Sequence, residues 1–174
     1  ATIEVDTLEF SRLVLDGKNI GFEELPCKDQ ELSFEILHHK LKENIHIETF
    51  NQDTLKTLNL YDNGNGYNNA AGLLADKNHF SGIDIVKFGE NISIIQKRVT
   101  FEHISVLEEY EKALAVYRDY YQYEVIQGAD RKVMEKIPEA AFREVIANAL
   151  IHRVWDVNSH IRVSLFEDRI EIVS

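Results

Sequence analysis

Apolar side chains return every three to four residues in some stretches of the chain and every second residue in others. Val106, Leu107, Tyr110, Leu114 and Tyr117 share one face at helical spacing and predict the longest helix, over 105–118 or slightly beyond. Ala141, Val145, Ala149 and His152, flanked by Phe142 and Ile146, predict another helix that runs to about Arg153. Pro138 suits its first position, because its fixed φ is already helical and its missing N–H has no helical partner to lose. Phe34, Leu37 and Leu41 stand at i, i+3 and i+7 behind Ser33, a candidate N-cap, and predict a helix over 34–43. An imperfect stripe over 3–15, behind Thr2, predicts a helix there, and shorter helices are expected over 53–58 and 69–75.

The alternating stretches are 83–88 and 92–101, parted by Gly89-Glu90-Asn91, which suggests a hairpin. Residues 121–127 and 131–137 form a second candidate pair around Gly128-Ala129-Asp130, and 161–167 and 169–173 a third, turning tightly at Glu167-Asp168. The run from Tyr61 to Tyr67 is dense in Asp, Asn and Gly; it reads as a flexible hairpin and lacks the lysine of a phosphate-binding P-loop. These elements predict an α+β fold: a mainly helical N-terminal half with a small sheet over residues 1–120, then a helix and hairpin over 121–174. Three short helices followed by strands also permit a winged-helix-like unit.

Composition narrows the setting. The chain has 174 residues, 44% hydrophobic and 28% charged, as in ordinary globular proteins. Its net charge is −11, with 6 basic and 12 acidic residues in the first sixty positions. That balance argues against a nucleic-acid grip within this stretch, since such surfaces gather Lys and Arg against phosphates. The lone Cys27 excludes an intrachain disulfide and a multi-cysteine zinc site, and a reducing cytoplasm is the expected compartment. No apolar run is long enough to span a membrane, and the first residues lack the signature of a signal peptide. The seven histidines are scattered without zinc-ligand spacing and read as surface or core residues. Tyr117, Tyr120, Tyr121 and Tyr123 could stack on bases, but their helical spacing beside acidic neighbours favours packing.

The densest candidate chemistry lies between Arg143 and Arg153. Glu144 and Asn148 are four apart on one helix face, as are Asn148 and His152. A carboxylate one turn from an amide oxygen suits a magnesium–nucleotide complex: the amide binds a hard cation and the carboxylate holds or deprotonates water. The bland alternative, a solvated helix face, has the same spacing.

The segment from Ile137 to Arg153, with the strands 161–174 after it, resembles a block in bacterial proteins described as RecG-like helicase-related proteins or transcriptional regulators. Phe22-Glu23-Glu24-Leu25-Pro26, Asn69-Ala70-Ala71-Gly72-Leu73-Leu74 and Arg98-Val99-Thr100-Phe101-Glu102 stand upstream in the matching order, so the resemblance runs from about residue 20. It implies a longer protein: a Schlafen/AlbA-type domain for nucleic acid, a middle region, and an ATP-binding domain of the GHKL group of gyrases, chaperones, histidine kinases and MutL. On that reading the chain is the middle region plus the opening of a GHKL-like α/β sandwich, truncated before the glycine-rich part of the pocket.

In that group the helix bearing Glu-x-x-x-Asn is the N-box, which Glu144, Asn148 and Ala149 match. The resemblance implies Mg²⁺ on Asn148, Glu144 as the catalytic general base, and Asn148, Ala149 and His152 at the nucleotide. Ile151 stands where chaperone- and MutL-like members carry Asp. ATP and Mg²⁺ are thus expected in the full-length protein, with none held tightly by this excerpt, and DNA is expected to meet domains outside the chain. Three functions follow as alternatives: part of a DNA-binding transcriptional regulator, a GHKL-type ATP hydrolase active with its missing segment, or a dimerisation or signalling spacer. No Walker A motif supports a helicase motor.

Overall fold

The structure, a computed structural model, describes residues 21–47, 49–127 and 130–174. The chain folds as α+β and divides between Ala75 and Asp76 into two compact units. This division falls inside the first of the two expected regions, well before residue 120. The helix expected over 3–15 lies outside the described residues.

Among the described residues the first unit carries the α-helices α1 (Glu35–Ile45), α2 (Gln52–Thr57) and α3 (Asn69–Leu74), and a two-residue-per-strand hairpin of β1 (Tyr61–Asp62) and β2 (Gly66–Tyr67). The predicted cap Ser33 is not used. Phe34 holds the N-cap position of α1, buried with its ring 5.5 Å from that of Tyr67, so ring packing sets the start of the helix. In α2, Asn51 and Thr54 form a capping box, each side chain taking the other's backbone N–H. The Asn-Gly loop is ordered by Asp62, whose carboxylate accepts from the Gly64 and Asn65 amides at 2.6 and 2.9 Å. Gly66 (φ 75°) turns the hairpin in a conformation that side chains resist, against the amide of Gln30.

The second unit is built on one four-stranded sheet ordered β4-β3-β7-β8, where β3 is Ile83–Phe88, β4 Ile95–Phe101, β7 Ile161–Leu165 and β8 Ile170–Val173. β3 and β4 belong to this unit, so the strands expected to follow the short helices pair within its sheet. β3 pairs antiparallel with β4 and parallel with β7, and Ile83 and Ile161 stand opposite each other. The strand predicted from Ile92 begins instead at Ile95. Asn91 accepts from the Ser93 amide at 3.0 Å and Ile94 N–H donates to Asn91 at 3.1 Å, so a satisfied turn holds the preceding apolar residues out of the ladder.

Two helices, α4 (Val106–Tyr121) and α5 (Glu139–Ile151), pack against each other. Ile83, Ile85, Leu114, Ile146, Ile161, Val163 and Leu165 form the core. Each fully buried aliphatic side chain of this kind contributes about 1.5–3 kcal/mol by leaving water. The Tyr117 ring stacks on Phe142 at 4.9 Å and on Tyr121 at 5.4 Å, tying α4 to α5. Tyr121 donates its hydroxyl to the Phe166 and Arg169 carbonyls at the β7–β8 turn. On the other face of β3, Asp84 accepts from Arg98 at 2.8 and 3.0 Å and from Thr100 at 3.0 Å. The Arg98 hydrogen bonds hold this carboxyl below its ordinary range.

Between α4 and α5, β5 (Gln122–Gln127) and β6 (Asp130–Glu135) form a separate antiparallel ribbon. It is the hairpin expected there, although its turn residues 128 and 129 lie outside the described set. Ile126 and Val133 are exposed on it, at 69% and 63%.

Candidate functional site

The start of α5 is fixed by charge. Pro138 occupies its N-cap position, one residue earlier than predicted. The Glu139 N–H donates to Glu135 at 2.8 Å, while its carboxylate takes a forked pair of hydrogen bonds from Arg118 at 2.6 and 3.1 Å and one from Gln122 at 2.7 Å. Arg118 holds the Glu139 carboxyl below its ordinary range, and the charge also suits the helix N-terminus. Phe142, Ile146 and Leu150 then bury the inner face.

Glu144, Asn148 and His152 lie on the opposite, exposed side, with Ala149 half-buried between the two. Among the described residues, the side chains of Glu144, Asn148 and His152 make no hydrogen bond or ion pair, so their donors and acceptors are free for a ligand. Glu144 also lines a shallow, open depression of about 640 Å³ between the helices, with Tyr110, Glu139 and Arg143. Asn148 and His152 lie outside that depression. Ile151 projects into solvent beside them, 69% exposed.

These residues fit an ATP–Mg²⁺ complex as one wall only. An amide oxygen and a carboxylate are proper ligands for a hard cation, which would keep several waters and meet phosphate oxygens on its remaining positions. Among the described residues, no three His, Cys, Asp or Glu side chains come together as a metal cage.

The last residue of the same motif behaves differently. Arg153 is only 6% exposed. Its guanidinium donates to the Ser81 carbonyl at 2.6 Å, to Gly82 at 3.4 Å and to Ser159, and lies 4.4 Å from the Trp155 ring centre. Trp155 in turn donates its indole N–H to Leu150 at 3.2 Å, closing the end of α5. Arg153 therefore clamps the entry to β3 against the entry to β7.

Beside it lies Glu109 of α4, 1% exposed, one of whose carboxylate oxygens has no hydrogen-bond partner among the described residues. Burial pushes this carboxyl up to about 8; Arg153 pulls it back, and Glu102 and Glu108 push it further up. It packs so closely on Gly82 that a methyl group there would overlap both its carboxylate and the Phe101 carbonyl. The sequence offered one hint: Glu109 stands four residues from Ser105 and from Ala113, both fully buried, on the face that packs inward.

No protein-family model and no curated protein matches the chain. Among solved structures it is similar to the DIP2311 protein from Corynebacterium diphtheriae, with a TM-score of 0.68 and 24% identity over 94% of this chain. The chain spans about a third (34%) of the length of that protein. At this identity the likeness establishes a shared fold.

Proposed function

We propose that this chain is the middle region and the opening of an ATPase-like module in a bacterial DNA-binding transcriptional regulator. The observation that supports this reading is the exposed face of α5. Glu144, Asn148 and His152 stand one turn apart, unengaged by the fold, on the helix that leads into β7 and β8. In this reading Asn148 offers its amide oxygen to Mg²⁺, His152 a ring nitrogen to the nucleotide, and Ala149 leaves room beside them. Residues beyond this chain complete the pocket. The acidic balance of the chain leaves DNA to other domains of the longer protein.

The enzymatic alternative assigns more to Glu144. Its unpaired carboxylate on the lip of the depression is placed to orient a water molecule. Ile151, apolar and exposed, brings no second carboxylate to the site, which favours nucleotide binding over rapid hydrolysis.

The decisive experiment uses the full-length protein. It should bind ATP in the presence of Mg²⁺, and Asn148→Ala should abolish that binding while leaving the protein folded. It should also shift promoter DNA with a steep dependence on salt. Full-length protein that ignores ATP would end the nucleotide reading. A DNA shift reproduced by residues 1–174 alone would contradict the placement of DNA contacts elsewhere.

A further inference from the structure

We propose that the recess at the end of β3, floored by Tyr120 and Tyr121 and flanked by Lys87 and Lys136, is a binding site for a small phosphate-bearing anion. This site is separate from the exposed face of α5 and does not depend on the ATPase reading.

Lys87 occupies a position where the fold calls for an apolar side chain. It follows Ile83 and Ile85 at two-residue spacing, so it shares their helix-covered face, and its register partner on β7 is the buried Leu165. Its partner on β4 is Lys97, so two ammonium groups stand directly opposite on adjacent antiparallel strands. Like charges in that arrangement are destabilising. Both ammoniums hover over one ring, that of Tyr120, at 5.8 and 5.9 Å, and Lys87 lies 5.7 Å from the Tyr121 ring as well. The tyrosine faces ease the repulsion without neutralising it.

A third ammonium arrives from the segment before α5. The Lys136 backbone N–H donates to the Tyr121 carbonyl at 2.9 Å, which fixes the residue at the recess. Burial, and after it the Lys136 charge, hold the Lys87 ammonium below its ordinary range, while Glu167 pulls it back up. Among the described residues, Lys87 has no carboxylate at ion-pairing distance. The acidic groups nearby are Glu90 in the β3–β4 turn and Glu167 in the β7–β8 turn. Glu167 reaches Lys136 only at 3.8 Å and its side chain is 88% exposed, so it can swing aside.

The recess encloses about 250 Å³, also lined by Phe88, Gly89 and Gln96. That is below the roughly 300–1,000 Å³ of sites for drug-sized ligands, and it suits inorganic phosphate or a small phosphomonoester. Converging lysines act as point charges, a good match for a compact dianion that can be approached from several sides, whereas a planar carboxylate favours the fork of an arginine. In a chain of net charge −11, two ammoniums over one ring and a third lining the same recess are a local reversal of the field.

The test is calorimetric titration of the chain at low ionic strength with inorganic phosphate, with glycerol 3-phosphate, and with a short DNA duplex. We expect saturable one-site binding of phosphate or the ester with a Kd near 1 mM or tighter. Amide shifts in nuclear magnetic resonance spectra should centre on Gly89 and Gln96. Lys87→Gln should weaken binding about tenfold or more and Lys136→Gln several-fold, while Lys77→Gln leaves it unchanged. Lys136 is exposed enough that its variant keeps the test valid if Lys87→Gln fails to fold. Absence of saturation by both small anions overturns the proposal, as does binding that ignores both substitutions. Saturation by the duplex alone, lost in Lys87→Gln, overturns it in favour of a nucleic-acid contact.

Discussion

The two faces of α5 carry residues of one short motif and put them to opposite uses. On the inner face Phe142, Ile146 and Leu150 fill the core, and just past the helix end Arg153 donates to backbone carbonyls and lies over the Trp155 ring. On the outer face Glu144, Asn148 and His152 are exposed and bind nothing in the fold. The contrast separates two reasons for a polar residue to occupy a helix. Arg153 is polar because it closes the entries of β3 and β7; the outer residues contribute nothing to the fold that a neutral surface would not.

The sharpest way to break this contrast is Arg153→Ala. It leaves the Ser81 and Ser159 carbonyls without their Arg153 donor and takes the guanidinium away from Glu109, and we expect a loss of about 3 kcal/mol or more in urea unfolding. Arg153→Lys should recover only part of this, because an ammonium cannot reproduce the guanidinium fork. A loss within a few tenths of a kcal/mol would place Arg153 among the outer residues in energetic terms.

Next in size is a pH effect from Glu109. Its folded pKa, about 8, lies above the ordinary value of 4.5, so the folded chain keeps a proton that the unfolded chain releases between those values. The stability from this group is complete below pH 4.5, declines as pH rises toward about 8, and changes no further above that. Urea midpoints at about pH 5 and about pH 9 should differ in that direction, and Glu109→Gln, neutral throughout, should flatten the difference. An unchanged slope in the variant would assign the pH dependence elsewhere.

Tyr121→Phe tests the inner region more gently. It removes the hydroxyl that serves the Phe166 and Arg169 carbonyls, and a loss of about 1–2 kcal/mol is expected. The smallest effects should come from Asn148→Ala and Glu144→Ala, each within about 0.5 kcal/mol of the parent by thermal or urea unfolding. A larger loss would show that the fold uses the outer face after all.

Local elements were legible in the sequence where one periodicity governed. The alternation of 83–88 marked β3 to the residue, and the stripe through Leu114 and Tyr117 marked α4, which begins one residue after the expected start, with Ser105 as its N-cap. Boundaries slipped where packing or a turn outbid propensity, as at Phe34 and at the Asn91 turn. What no local pattern carries is the parallel pairing of β3 with β7, since the partners are far apart in the chain. The same gap hid Arg153 and Glu109: each looks like a surface charge until the fold brings Ser81, Gly82 and Ser159 around the first and Gly82 against the second. The Glu144–Asn148–His152 spacing was readable, but spacing alone could not show whether the fold would claim those side chains.

The clamp at Arg153 also bears on how the second unit assembles. Between Ile83 and Ile161 the chain runs through strand β4, two helices and a ribbon, a long closure of the kind that slows folding. Arg153 sits just past the end of α5, where its one side chain reaches both strand entries. By gripping Ser159, six residues on, and Ser81, seventy-two residues back, one guanidinium fastens a local turn to a distant strand entry, so the finished β3–β7 pairing is held from outside its own ladder.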